Sequence, residues 1–277
     1  MRTIGLLVGM TLLGCQPAAP PTSTSAPADS AAPSAATPTA GNEGAAPSPP
    51  TPDPIEAALA GDRSAADQAL DPGRQPGELL RFFGIQPGMR VAELGAGTGY
   101  TTELLARVVG SEGEVYAQNS AFILERFAEE PLSERLRKPV MGNVVRVDRE
   151  FDDPLPGEAV ELDAVLNILF YHDTYWMKID RAQMNAAVFR ALKPGGVYGV
   201  IDHSAREGAG ATGVKTLHRI ERRLVVEEIQ AAGFELIASS DAWRNPEDAR
   251  DWNASPSQAG ERRGTSDRFA LKFVRPR

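Results

Sequence analysis

The run Val91-Ala92-Glu93-Leu94-Gly95-Ala96-Gly97-Thr98-Gly99-Tyr100 constrains this chain more than any other segment. A short apolar stretch carrying one acid feeds three glycines at alternate positions, and a helical pattern follows over Thr101–Val109. Glycine permits positive φ and lets a ligand approach the backbone, so strand, tight turn and helix in that order mark a ligand loop. The spacing is not that of a dinucleotide fingerprint, whose third glycine would stand where Tyr100 does. Nor does it hold the Lys-Ser/Thr pair of a Walker loop. An acid two residues before the first glycine suits a cationic ligand, because an ion pair offsets part of the desolvation cost.

The rest of the chain sets this loop in an alternating pattern. Strands are predicted at Met89–Leu94, Glu114–Ala117, Asn143–Val147, Leu162–Ile168, Gly196–Ile201, Phe234–Ser239 and Arg268–Val274. Helices are predicted at Thr101–Val109, Ala121–Glu129, Arg181–Leu192 and Arg222–Ala232, with two more at Ala57–Leu70 and Gly77–Phe83 as an N-terminal cap. Short β-branched runs separated by helices predict an α/β domain over 53–277, a mostly parallel sheet with right-handed crossovers and helices on both faces. Phe170–Ile179, His203–Ile220 and Asp241–Asp267 show no period. The first two follow carboxyl ends of strands, where open parallel sheets bind ligands.

The E-x-G-x-G-x-G pattern at the end of the first strand resembles motif I of the class I S-adenosylmethionine-dependent methyltransferases. The likeness extends from about Gln75 to Val274, through Asp163 and Leu192-Lys193-Pro194-Gly195-Gly196. It implies a Rossmann-like, seven-stranded fold with S-adenosylmethionine as cofactor, held by Glu93, Gly95, Gly97 and Gly99. The second strand of that family ends in a carboxylate for the ribose; here Gln118-Asn119 stand instead, so the resemblance carries the ribose role to Gln118. A neutral amide is the weaker acceptor. Asp148, after the third strand, falls at the adenine position. More narrowly, Tyr171-His172-Asp173-Thr174-Tyr175-Trp176, Ile201-Asp202-His203-Ser204-Ala205-Arg206, Leu217-His218-Arg219-Ile220 and Arg244-Asn245-Pro246 resemble a group of predicted exported bacterial methyltransferases.

All three histidines, His172, His203 and His218, fall at or beyond predicted strand ends on the edge that carries the glycine loop. Methyl transfer is an in-line displacement that asks for alignment of a nucleophile and, where needed, removal of its proton. His172, Asp173 and His203 are therefore the catalytic candidates, in the neighbour pairs His172-Asp173 and Asp202-His203. Neighbours on a strand point to opposite faces, so neither pair need be hydrogen-bonded. Tyr171, Tyr175 and Trp176 are candidates for an aromatic wall. Arg206, Arg219 and Arg244 are candidates for an anion grip or for surface ion pairs. No short metal-ligand spacing is present, so no metal ligand is assigned. Two other readings use the same residues: a non-catalytic envelope binding module, and a metal-dependent hydrolase built on the three histidines.

The N-terminus predicts a different address from the cofactor. Met1-Arg2-Thr3 and the apolar run Ile4–Leu13 have the form of a signal peptide over 1–14. Leu12-Leu13-Gly14-Cys15 resembles the bacterial lipobox, which implies lipidation of Cys15 and a lipid-anchored place in the cell envelope, on the outer membrane or the periplasmic face. Over 17–52, 31 of 36 residues are Pro, Ala, Ser or Thr, which predicts a disordered tether across 15–52. A net charge of −8 argues against nucleic acid as partner, which leaves a small molecule as the expected acceptor. A lone cysteine excludes an internal disulfide framework and a thiolate zinc cluster.

Overall fold

The computed structural model describes residues 52–277. The predicted signal peptide, Cys15 and the tether as far as Thr51 lie outside the described residues.

Seven strands form one sheet in the order β3-β2-β1-β4-β5-β7-β6. They are β1 Arg90–Leu94, β2 Glu114–Asn119, β3 Val144–Asp148, β4 Leu162–Ile168, β5 Leu192–His203, β6 Glu235–Ser240 and β7 Arg268–Val274. β1 pairs in parallel with both β2 and β4, β2 pairs in parallel with β3, and β4 with β5. Only β7 runs antiparallel, between β5 and β6. The predicted mostly parallel α/β sheet is therefore the observed one.

Strand alternation supplies a separate core on each face. On β1, Val91 enters one apolar cluster while Ala92 and Leu94 enter the other. On β4, Val165 joins Ala92, whereas Ala164, Leu166 and Ile168 join Val91. The Val91 side is covered by α1 Pro54–Ala60, α4 Pro76–Phe83 and α5 Tyr100–Val109, with the short α2 Ala65–Gln68 and α3 Asp71–Arg74 between α1 and α4 in the chain. The Ala92 side is covered by α6 Ala121–Ile123, a π-helical turn at Leu124–Ala128, α7 Glu129–Leu136, α8 Asp173–Trp176, α9 Arg181–Ala191 and α10 Arg222–Ala231.

Several boundaries differ from the sequence pattern. The predicted helix Ala57–Leu70 is two short pieces, because the chain turns extended at Gly61 and the Ser64 hydroxyl caps a new helix at Asp67 N–H. The predicted Ala121–Glu129 helix contains the π turn and continues as α7 to Leu136. β5 begins four residues earlier than expected, since Leu192 pairs with Leu162 before a bulge that carries Gly195 at φ +81°.

Candidate active site

A cavity of about 820 Å³ opens at the carboxyl ends of β1, β4 and β5. The glycine loop forms one end. Gly95, Gly97 and Gly99 have φ of +66°, +57° and +84°, and Gly99 caps α5. Gly95, Ala96, Gly97 and Thr98 line the cavity with Glu93. The Glu93 carboxylate is buried and accepts from the Thr102 hydroxyl at 2.5 Å. Burial pushes its pKa up to about 7, against the lowering influence of Thr102, Thr101 and the nearby Arg74 cation.

The amides at the end of β2 hold this loop. Gln118 accepts from Gly95 N–H at 3.1 Å and donates to the Arg149 carbonyl at 2.6 Å. Asn119 accepts from Gly97 N–H at 2.8 Å and donates to its carbonyl at 3.1 Å. Both are fully buried, and neither lines the cavity. Gln118, expected to contact the ribose, braces the glycine loop here, with one backbone hydrogen bond on each of its amide atoms. Asp148 also lies outside the lining; it is exposed and paired with Arg146 at 2.8 Å.

The opposite end holds the histidines. Asp202, fully buried on β5, accepts the backbone N–H of His172 through Oδ2 and its ring Nδ1–H through Oδ1, each at 2.7 Å. His172 Nε2 lies 3.1 Å from both Asp173 Oδ1 and His218 Nδ1. Burial disfavours the imidazolium, yet Asp202 and Asp173 outweigh it and raise the His172 pKa to about 10. Asp173 in turn is held far below the usual carboxylate range: burial opposes this, and His172, His218 and Trp176 prevail. His203 behaves in the opposite way. Burial, with Arg268, His172, Arg219 and Arg74 around it, pushes it well below the ordinary histidine value, and its Nδ1 bonds Ser266 Oγ at 2.7 Å. The three histidines thus share one cavity but do not form one ligand set.

Several expectations fall elsewhere. Tyr171 and Tyr175 hydrogen-bond Glu228 at 3.0 and 2.7 Å and sit in or against the core, so only Trp176 of the three aromatics lines the cavity. Arg206 pairs with Asp251, Arg219 with Asp248 and Arg244 with Asp267. None of these arginines lines the cavity. Sequence reasoning missed the cavity arginines Arg74, Arg126 and Arg263, which have no carboxylate partner among the described residues. It also missed Phe122 and Phe127. Phe127 is 65% exposed at the mouth, and Phe122 stacks edge-on to both Phe127 and Trp176. The only advance signal was that Arg263 belongs to a segment without period.

Residues 74–145 match the family model of protein-L-isoaspartate(D-aspartate) O-methyltransferase. The chain is 38% identical over 69 residues to the protein-L-isoaspartate O-methyltransferase of Aeropyrum pernix, covering 25% of this chain and 26% of that one. It is 30% identical over 122 residues to the ubiquinone/menaquinone biosynthesis C-methyltransferase UbiE of Vibrio campbellii, 44% of each chain. The chain therefore spans less than half the length of the curated relatives it matches. A crystal structure of an S-adenosylmethionine-dependent methyltransferase from Aquifex aeolicus superposes with a TM-score of 0.52 at 19% identity, covering 77% of this chain and 99% of that one. The fold is thus the Rossmann-like α/β fold of these methyltransferase structures. The observed strand order places the glycine loop beside β4, so that loop and the histidines face one cavity.

Proposed function

We propose that this chain transfers a methyl group from S-adenosylmethionine to a small, negatively charged acceptor. The observation that carries the reading is the shared cavity: Glu93 and the glycine backbone at one end, His172, His203 and His218 at the other. A sulfonium cation suits the end that carries Glu93. In the transfer, a lone pair of the acceptor forms the bond to the methyl carbon as the carbon–sulfur bond breaks, leaving a neutral thioether. The residues' task is alignment, with removal of the acceptor's proton where it has one. His203 lines the cavity with its Nδ1 held by Ser266 Oγ, which leaves Nε2 as the nitrogen placed to take that proton; His172 is held in position by Asp202.

Arg74, Arg126 and Arg263 line the cavity and, among the described residues, form no salt bridge, which supports an anionic acceptor. The relatives' names cover acceptors as different as a protein isoaspartate and a quinone precursor, so the acceptor's identity rests on this chain's own cavity. We further propose, from Leu12-Leu13-Gly14-Cys15 and the tether, that the enzyme is lipid-anchored in the cell envelope. A second reading, a binding module without turnover, draws on one observation: the β2 amides brace the loop and leave no carboxylate for the ribose.

Calorimetric titration of S-adenosylmethionine and S-adenosylhomocysteine into the full-length chain tests both. Micromolar binding that is weakened in Glu93→Gln supports the cofactor. Silence at millimolar ligand removes the enzyme reading. Binding without methyl transfer across a panel of anionic acceptors favours the module.

A further inference from the structure

We infer that His172, Asp173 and His218 form a mononuclear site for a divalent transition-metal ion of the zinc, cobalt(II) or iron(II) kind. His172 Nε2 stands 3.1 Å from Asp173 Oδ1 and 3.1 Å from His218 Nδ1, and His218 Nδ1 stands 3.3 Å from the same carboxylate oxygen. Two ligands each about 2.1 Å from one ion lie about 3.0 Å apart at a right angle and about 3.4 Å apart at a tetrahedral angle. All three edges fall within that interval. The triangle already has the size of one coordination face, with no backbone rearrangement required.

The surroundings are built as the outer shell of such a site. A metal-binding histidine characteristically donates its other ring N–H to a carboxylate, which fixes tautomer and orientation. Asp202 does this for His172 and also holds the residue's backbone N–H, so Nε2 is aimed into the triangle. The Trp176 indole N–H donates to Asp173 Oδ1 at 2.6 Å and orients the carboxylate. His218 reaches the triangle through a left-handed backbone at φ +50°, a conformation that costs a non-glycine residue free energy and persists only where neighbours enforce it. They do so here on both sides: Leu217 carbonyl accepts from Ala254 N–H at 2.9 Å, and Ile220 N–H donates to His203 carbonyl at 3.0 Å.

All three ligands line the cavity, so the ion's remaining positions open onto the space assigned above to the acceptor. Two imidazoles and one carboxylate with open positions are the donor set of zinc sites and of non-haem iron(II) sites. His203, with its Nδ1 on Ser266, stands outside the triangle. The ion requires neither S-adenosylmethionine nor an acceptor, so this inference stands or falls apart from the methyltransferase reading.

The test uses the full-length chain, stripped with a chelator and titrated with Zn²⁺ by calorimetry and with Co²⁺ by visible absorption. One ion per chain is expected, with the intense visible bands of a four- or five-coordinate cobalt site. His218→Ala and Asp173→Asn should each weaken binding by about 100-fold, since loss of a supporting outer residue alone costs about 10- to 100-fold. His218 is partly exposed, so its removal leaves the fold intact, which thermal unfolding checks. Absence of saturable binding to the folded wild-type chain overturns the inference. So does binding that both variants retain unchanged.

Discussion

Asp202 accepts two hydrogen bonds from His172, one from the backbone and one from the ring, through different oxygens of one carboxylate. The bond ties the loop after β4 to the end of β5 and sets the imidazole before any ligand arrives. In Asp202→Asn, one of the two oxygens becomes an N–H donor facing another donor. Removing one partner of a buried charged pair costs about 3 kcal/mol or more. For a domain of this size that lowers Tm by roughly 6–12 °C. Thermal unfolding of the variant checks it, and an unchanged Tm would mean the clamp is dispensable.

Glu93 supplies a pH dependence whose sign is fixed by burial. Its folded pKa, about 7, lies above the ordinary 4.5. The fold therefore favours the protonated acid: this contribution to stability is complete below pH 4.5 and is lost as pH rises through about 7. Thr102, Thr101 and Arg74 face the carboxyl and moderate the shift. A sulfonium ligand prefers the ionised form, so its Kd should be about tenfold weaker at pH 6 than at pH 8. Glu93→Gln should flatten that profile in calorimetry at the two pH values.

Gly95 and Gly97 should differ on substitution by alanine. Both sit at positive φ, which costs an alanine about 1–2 kcal/mol. A Cβ at Gly97 meets nothing closer than 4.0 Å, whereas one at Gly95 would lie 2.8 Å from the Phe170 ring. Gly95→Ala is thus expected to lose more stability than Gly97→Ala. Equal shifts in denaturant midpoint would contradict the steric account.

Arg219 stabilises the segment over the cavity rather than gripping an acceptor. It is fully buried, pairs with Asp248 at 2.9 Å, donates to the carbonyls of Ser204 and Trp252, and lies 4.7 Å from the Trp252 ring centre. Arg219→Ala leaves Asp248 buried without its partner, a loss of about 3–5 kcal/mol. Limited proteolysis should then cut first within 241–267. A variant as resistant as wild type would refute this.

The sheet was legible in the sequence because the strand pattern and the glycine turn are local. β1, β4, β6 and β7 fall within a residue of expectation at each end, and Gly95, Gly97 and Gly99 take the positive φ that their spacing required. Side-chain partnership was not legible. His172 finds Asp202 from the adjacent strand, 30 residues away, in addition to its neighbour Asp173. Gln118 resembled a ligand contact, yet its amide turns to Gly95 and Arg149, a choice that no local pattern records. Arg74, Arg126 and Arg263 come from three separate segments, and only the closed fold brings them to one cavity. The π turn escaped notice because its apolar spacing differs from an α-helix by a single residue.

That single residue sets how the segment before it is aimed. A π turn is an α-helix with one residue inserted. Deleting any one position within Leu124–Ala128 would restore a continuous helix and rotate Phe122 by about 100° relative to α7. Phe122, Arg126 and Phe127 line the mouth through this segment. One insertion or deletion here would therefore re-aim the aromatic rim of the cavity in a single step.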